Sequence, residues 1–179
     1  DIVAGAAVGC YTIKIERGPV ADVLTLTGKA PGVETLKQTI TLYHDLKRID
    51  FGIWMDKAPS PLRMEYKRSW GCYDQRRKEA VFVALPLAVP NFTIHHELPG
   101  AVIEPYREQF DGSATCHYAI RGFTDLSNDK YGVTISPIES GLVCYGKPTS
   151  SPMVLGGERY FNRDRTYPTD SRVYLYMMN

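Results

Sequence analysis

The chain has 179 residues, with 21 Lys plus Arg against 20 Asp plus Glu, a formal charge of +1. A chain this long buries roughly 70% of its unfolded surface, so one domain needs no metal or disulfide to hold together. The near balance of charge excludes a general nucleic-acid or membrane-surface binder, and the lack of any run of about 18 apolar residues excludes a membrane-spanning helix.

The opening DIVAGAAVGC is mildly apolar without a basic start and does not read as a signal peptide. A period of two then runs through most of the chain. Tyr11, Ile13 and Ile15 alternate with Thr12, Lys14 and Glu16 until Gly18-Pro19 breaks the run. Leu24 and Leu26 alternate with Thr25 and Thr27, and GKAPG makes a turn. In QTITLYHDLKRIDFGIWMD, residues Thr39 to Tyr43 alternate, HDLK connects, and Ile49, Phe51, Ile53 and Met55 fall on one side. That stretch predicts an antiparallel hairpin with one oily face.

EAVFVALPLAV, from Glu79, is apolar on both sides and is expected deep in the packing, bent or ended by Pro86 and Pro90. Short strands are predicted at Gly100–Glu104, His117–Asp125, Tyr131–Ser136 and Gly141–Tyr145, with SNDKYG as a turn. The closing SRVYLYMMN reads as a central strand with no turn after it, so both ends look cut and a fragment is expected. No stretch keeps apolar side chains at helical spacing. Residues 1–179 are therefore predicted as one all-β domain, an antiparallel sandwich of two sheets. The connections Lys57–Lys78, basic and aromatic, and Gly146–Ser171, rich in Ser, Pro and Gly, are long enough to be functional or mobile.

Motifs are sparse. Cys10, Cys72, Cys116 and Cys144 form no CxxC pattern and read as free thiols, with one or two long-range disulfides as the alternative in an oxidising compartment. Asn91-Phe92-Thr93 fits a glycosylation sequon, a triplet frequent by chance. His95, His96 and Glu97 lack the second histidine of HExxH, since position 100 is Gly100; on a strand His96 and Glu97 point to opposite faces, and the residues read as exposed edge polars. The mixture of charge and aromatic rings in Lys57–Lys78 resembles a single-strand binding surface, but the overall charge argues against nucleic acid. No phosphate loop or nucleophile elbow occurs.

EPYREQFDGS packs Glu104, Arg107, Glu108, Gln109 and Asp111 into one irregular stretch. Its functional reading is a carbohydrate-binding loop, because carboxylates and amides pair with sugar hydroxyls. Its structural reading is a solvated loop bonded to its own backbone. Two other functions fit the composition. Trp54, Trp70 and Tyr73 would give a stand-alone carbohydrate-binding module its stacking platform. His44, His96 and His117 with Glu104 or Glu108 would give a sugar-ring epimerase of mutarotase type its acid and base.

One resemblance spans several blocks. TITLYHDLKRIDF, EAVFVALPLAV, HELPGAVIEPYREQFDGSATCHYAIRGFTDLSNDKYGVTISPIESGLVCYG and RVYLYMMN look like the C-terminal β-sandwich region of glycoside hydrolase family 38, the α-mannosidases. The likeness covers about Gln38 to Tyr145 and, more weakly, the last eight residues. It implies a supersandwich similar to the galactose mutarotase-like fold. It also implies a parent enzyme that hydrolyses α-mannosides with retention, using two carboxyl groups about 5 Å apart. In that family the nucleophile and a divalent metal, usually zinc, belong to a preceding α/β barrel. On this reading the chain itself carries no catalytic residue, no metal site and no cofactor, and its partners are the missing N-terminal barrel and carbohydrate, with no nucleic acid and no membrane.

Overall fold

The computed structural model describes residues 11–58, 81–110, 113, 115, 117–146 and 166–178. Its elements are strands only: β1 (Thr12–Arg17), β2 (Ala21–Ala30), β3 (Val33–Tyr43), β4 (Ile49–Lys57), β5 (Val81–Pro86), β6 (Thr93–Leu98), β7 (Ala101–Ile103), β8 (Tyr118–Ala119), β9 (Thr124–Ser127), β10 (Gly132–Ile135), β11 (Leu142–Tyr145) and β12 (Arg172–Met178). Among the described residues no helix occurs and every strand pairing is antiparallel, so the chain is all-β as its period of two predicts. The chain divides into two compact units, Asp1–Lys67 and Arg68–Asn179.

The first unit is a four-stranded meander, β1-β2-β3-β4. Directly paired residues share a face in an antiparallel ladder. Ile15↔Leu24, Leu24↔Ile40 and Ile40↔Phe51 therefore form one row, and Leu42↔Ile49 and Leu36↔Met55 add to it. The oily face expected for the β3–β4 hairpin runs across all four strands. The opposite face carries Thr12, Lys14, Glu16, Thr25, Thr27, Lys37, Thr39, Thr41 and Trp54.

Local chemistry fixes the turns. Ala30 pairs Val33, leaving Pro31-Gly32 as a two-residue loop with Gly32 at φ 72°, where only glycine is unstrained. The β6–β7 loop, Pro99-Gly100, repeats the device with Gly100 at φ 91°. At the mouth of the β3–β4 hairpin Asp50 accepts from Arg48 Nε at 2.7 Å and from Tyr43 Oη at 2.8 Å, and these bonds hold its carboxyl below the usual range. Thr39 faces Gly52, and a methyl group on Gly52 would collide with Thr39 Oγ1.

The second unit has two four-stranded sheets, β10-β9-β6-β7 and β5-β12-β11-β8. Their inner faces make one core. The first sheet contributes Ile94 and Leu126; the second contributes Tyr118, Val143, Tyr145, Val173 and Leu175; Ile120 joins them from the crossover. This is sandwich packing, with alternate residues of each strand turned inward. Asn128 shapes the SNDKYG turn: its Oδ1 accepts from Lys130 N and Tyr131 N.

Two expectations need correction. Within EAVFVALPLAV the strand β5 does not lie deep: it pairs only with β12, forms the sheet's edge, and its residues are half-buried or exposed, whereas Val89 beyond it is buried. The reason is that Phe82 and Ala84 belong to the outer face, where Phe82 meets the Tyr176 ring at 5.2 Å, so the doubly apolar pattern reflects an aromatic patch on the outer face. β12, with the same pattern, is central as expected, and Pro86 ends β5 as expected. The second correction concerns His96, expected on an exposed edge. β6 is flanked by β9 and β7, and His96 is 0% exposed because its position in the alternation turns it into the core.

Burial predicts where substitution hurts. Leu126→Ala in the sandwich core is expected to cost about 2–5 kcal/mol in urea unfolding. Gly32→Ala, which meets no atom and suffers only from its backbone angle, is expected to cost about 1 kcal/mol.

Candidate functional site

The EPYREQ loop is built by its own polar groups. After three residues of β7, Pro105 ends the strand and is itself buried. The Glu104 carbonyl then accepts from Arg107 N at 3.3 Å and from Glu108 N at 2.9 Å, closing one helix-like turn. The Glu108 carboxylate reaches back to Glu104 N at 2.7 Å. Gln109 Oε1 accepts from Tyr106 N at 2.8 Å and from Tyr118 Oη at 3.1 Å, while its Nε2 donates to Ser113 Oγ at 2.8 Å. Gln109 thus holds Tyr106 at φ 71°, a left-handed angle that a bulky residue adopts only when its surroundings compel it.

The two charges at the loop's base face a ring. Arg107 Nη1 lies 2.7 Å from Glu104 Oε1, at an angle that makes an ion pair rather than an aligned hydrogen bond. Its guanidinium also sits 4.8 Å from the centre of the Tyr167 ring. The Tyr167 hydroxyl accepts from Ile94 N at 2.6 Å. Burial pushes its pKa up, the bond from Ile94 N opposes this, and the nearby Glu104 carboxylate adds to the rise. Arg107 is mostly exposed, and Phe110, at 92%, is almost wholly so.

The loop therefore brings Glu104, Arg107, Glu108 and Gln109 together, but mainly to bond one another and the loop backbone. Asp111 lies outside the described residues. The exposed side chains of the loop are Arg107, Glu108 and Phe110: a guanidinium that can donate to hydroxyl or carboxylate oxygens, a carboxylate, and an apolar ring.

The histidines are dispersed. His44 Nε2 is 3.2 Å from Asp22 Oδ1 at an exposed site of the first unit. His117 stands by Phe82 and Tyr176 on the outer side of the β5-β12-β11-β8 sheet, and burial lowers its pKa. His96 is in the core, with Nδ1 3.1 Å from Tyr145 Oη; burial lowers its pKa to about 4. Proton transfer requires hydrogen-bond reach of a substrate, and His96 has no exposed surface from which to supply it. Among the described residues no group of three or more His, Cys, Asp or Glu could hold a metal ion. Cys144 is buried in β11; Cys10, Cys72 and Cys116 lie outside the described residues.

Trp54 is 57% exposed on the polar face of the first unit's sheet, while Trp70 and Tyr73 lie outside the described residues. The feature that sequence reasoning missed is a cluster of rings, Tyr106, Tyr118, Tyr145, Tyr167 and His96, linked by centroid distances of 5.2–6.3 Å. The only signal for it was the inward parity of His96 and Tyr145 on their strands. Compared with families of known proteins, with curated proteins and with solved structures, the chain matches none.

Because Gln109 satisfies three groups at once, Gln109→Leu is expected to destabilise the chain by about 1–3 kcal/mol, measured by urea unfolding. It is also expected to release Tyr106, visible as faster amide exchange at Tyr106.

Proposed function

We propose that this chain is an accessory β-sandwich region of an α-mannosidase-like glycoside hydrolase, with the galactose mutarotase-like supersandwich as its architecture. It is not catalytic by itself. The parent enzyme hydrolyses α-mannosides with retention in a separate α/β barrel that holds zinc. The role of this chain is to seat that barrel and to shape the rim of its pocket through the EPYREQ loop.

One observation carries the docking role. On the apolar face of the β1-β2-β3-β4 sheet Ile13 and Ile15 are each 63% exposed, Leu42, Ile49 and Phe51 are exposed with them, and Leu24, Leu26, Ile40, Ile53 and Met55 are half-buried. Among the described residues of this unit Leu36 alone is buried. A sheet with one oily face is stable when that face is covered, and exposed apolar surface of this extent marks an interaction site. The quoted sequence blocks, and the antiparallel strands that contain them, support the family reading.

A second reading has its own observation. Trp54, on the polar face among threonines and Lys37, is placed to stack on a sugar ring, as a carbohydrate-binding module requires. Calorimetric titration with mannose oligomers separates the two. Binding that Trp54→Ala abolishes favours the module; no heat at millimolar ligand removes it.

The chain assayed alone with an aryl α-mannoside and zinc is expected to show no turnover; enzyme-like rates would overturn the accessory role. An Ile15→Ser/Phe51→Ser variant is expected to lower binding of an apolar fluorescent dye at least twofold at unchanged strand content. In the parent gene, a segment before residue 1 without a barrel carrying Asp and His metal ligands would defeat the family reading.

A further inference from the structure

The two sheets of the second unit are joined by a polar bridge inside an otherwise apolar core. His96 on β6 and Thr124 on β9 are a directly opposed pair. Tyr145 on β11, in the other sheet, places its hydroxyl over both: 3.1 Å from His96 Nδ1 and 2.8 Å from Thr124 Oγ1. Thr124 Oγ1 donates in turn to the His95 carbonyl at 3.3 Å. That carbonyl can only accept, so it sets the direction of the whole chain of bonds. Thr124 donates to His95 O, Tyr145 donates to Thr124, and His96 Nδ1–H donates to Tyr145. The network thereby assigns the Nδ1–H tautomer to His96. It leaves Nε2 as a bare lone pair, buried with no hydrogen-bond partner.

A proton arriving at Nε2 creates a cation with an undonated N–H in a fully buried site. Among the described residues no charge faces it. On β6 itself His95 and Glu97 face the other way, as do Asp125 on β9 and Cys144 on β11 by strand alternation. β7 presents Ile103, and Glu104 beyond it is paired with Arg107. The groups that do face His96 are the Tyr118 ring at 5.2 Å and Tyr145, both phenols and uncharged in acid.

We propose that His96, Tyr145 and Thr124 form an acid-sensitive latch between the two sheets of residues 68–179, which holds while His96 is neutral and opens the sandwich when His96 takes a proton. In the unfolded chain the imidazole binds a proton near pH 6.5, whereas in the folded sandwich it does so only near 4. Between those values the open state holds more protons, so acidification favours it; the latch is at full strength above pH 6.5 and weakens as pH falls toward 4. The inference is independent of the mannosidase reading.

The test uses the whole 179-residue chain and its His96→Gln variant, which keeps a donor but cannot titrate. Unfolding constants are measured in urea from pH 7.5 to pH 4.5. Every other ionisable group is common to the two proteins, so its contribution cancels in the ratio. The wild-type constant is expected to rise about 50- to 100-fold relative to that of H96Q over this range. Equal pH slopes in the two proteins would overturn the proposal. Should H96Q not fold, side-chain NMR of the wild type decides: a His96 ring that titrates near pH 6.5 while the fold persists refutes the latch. A ring that stays neutral to pH 5 and is lost together with the Tyr118 and Tyr145 ring contacts upholds it.

Discussion

The Tyr145 hydroxyl reaches through the core of the second unit from one sheet to two partners on the other, His96 and Thr124. Everything inward of it is apolar: Ile94 and Leu126 on one side, Val143, Val173 and Leu175 on the other. Apolar contact alone specifies that two sheets pack, but not which residue sits over which, since oily surfaces slide at little cost. A hydroxyl that must meet both His96 and Thr124 permits one alignment. Strong upward displacement of the Tyr145 pKa by burial has the same origin as the downward displacement at His96: both groups are held in the form without charge.

The two units solve burial differently. The sandwich closes its oily surfaces on each other and buries them. The meander of the first unit has the same alternation and the same antiparallel ladders, yet its apolar row from Ile15 through Phe51 is exposed at both ends and only half-buried at Leu24 and Ile40. That contrast, inside a single chain, is what motivates the proposed accessory role. His96 is sealed in the core, and the carboxylates of the EPYREQ loop are engaged with Arg107 and with backbone amides.

Much of the fold was legible because period-two patterning is local. The β3–β4 hairpin, the SNDKYG turn and the central placement of β12 followed from alternation and turn chemistry. What failed was position within a sheet. β5 and β12 have the same two-sided apolar pattern, yet one is an edge and the other is central, because an outer aromatic cluster and an inner core both ask for large apolar residues. His96 was misplaced for a related reason: a histidine on a strand carries no mark of whether its neighbour will be water or Tyr145, which lies 49 residues away. In the EPYREQ loop the residue types were visible, but not their commitment. Gln109 is consumed by Tyr106 and Tyr118 through contacts that depend on a left-handed backbone angle at Tyr106, which no periodicity announces.

The close seating of Thr39 over Gly52 bears on how the first unit assembles. Sliding β4 past β3 by one residue would invert its oily and polar sides, and alternation already forbids that. Sliding by two keeps the sides intact, so patterning is blind to it. Such a slip would bring Asp50 or Trp54 opposite Thr39, whose Oγ1 would have to leave its seat over Gly52 to admit a side chain. Gly52 thus adds a steric preference, where hydrophobicity has none, for the frame in which the hairpin zips.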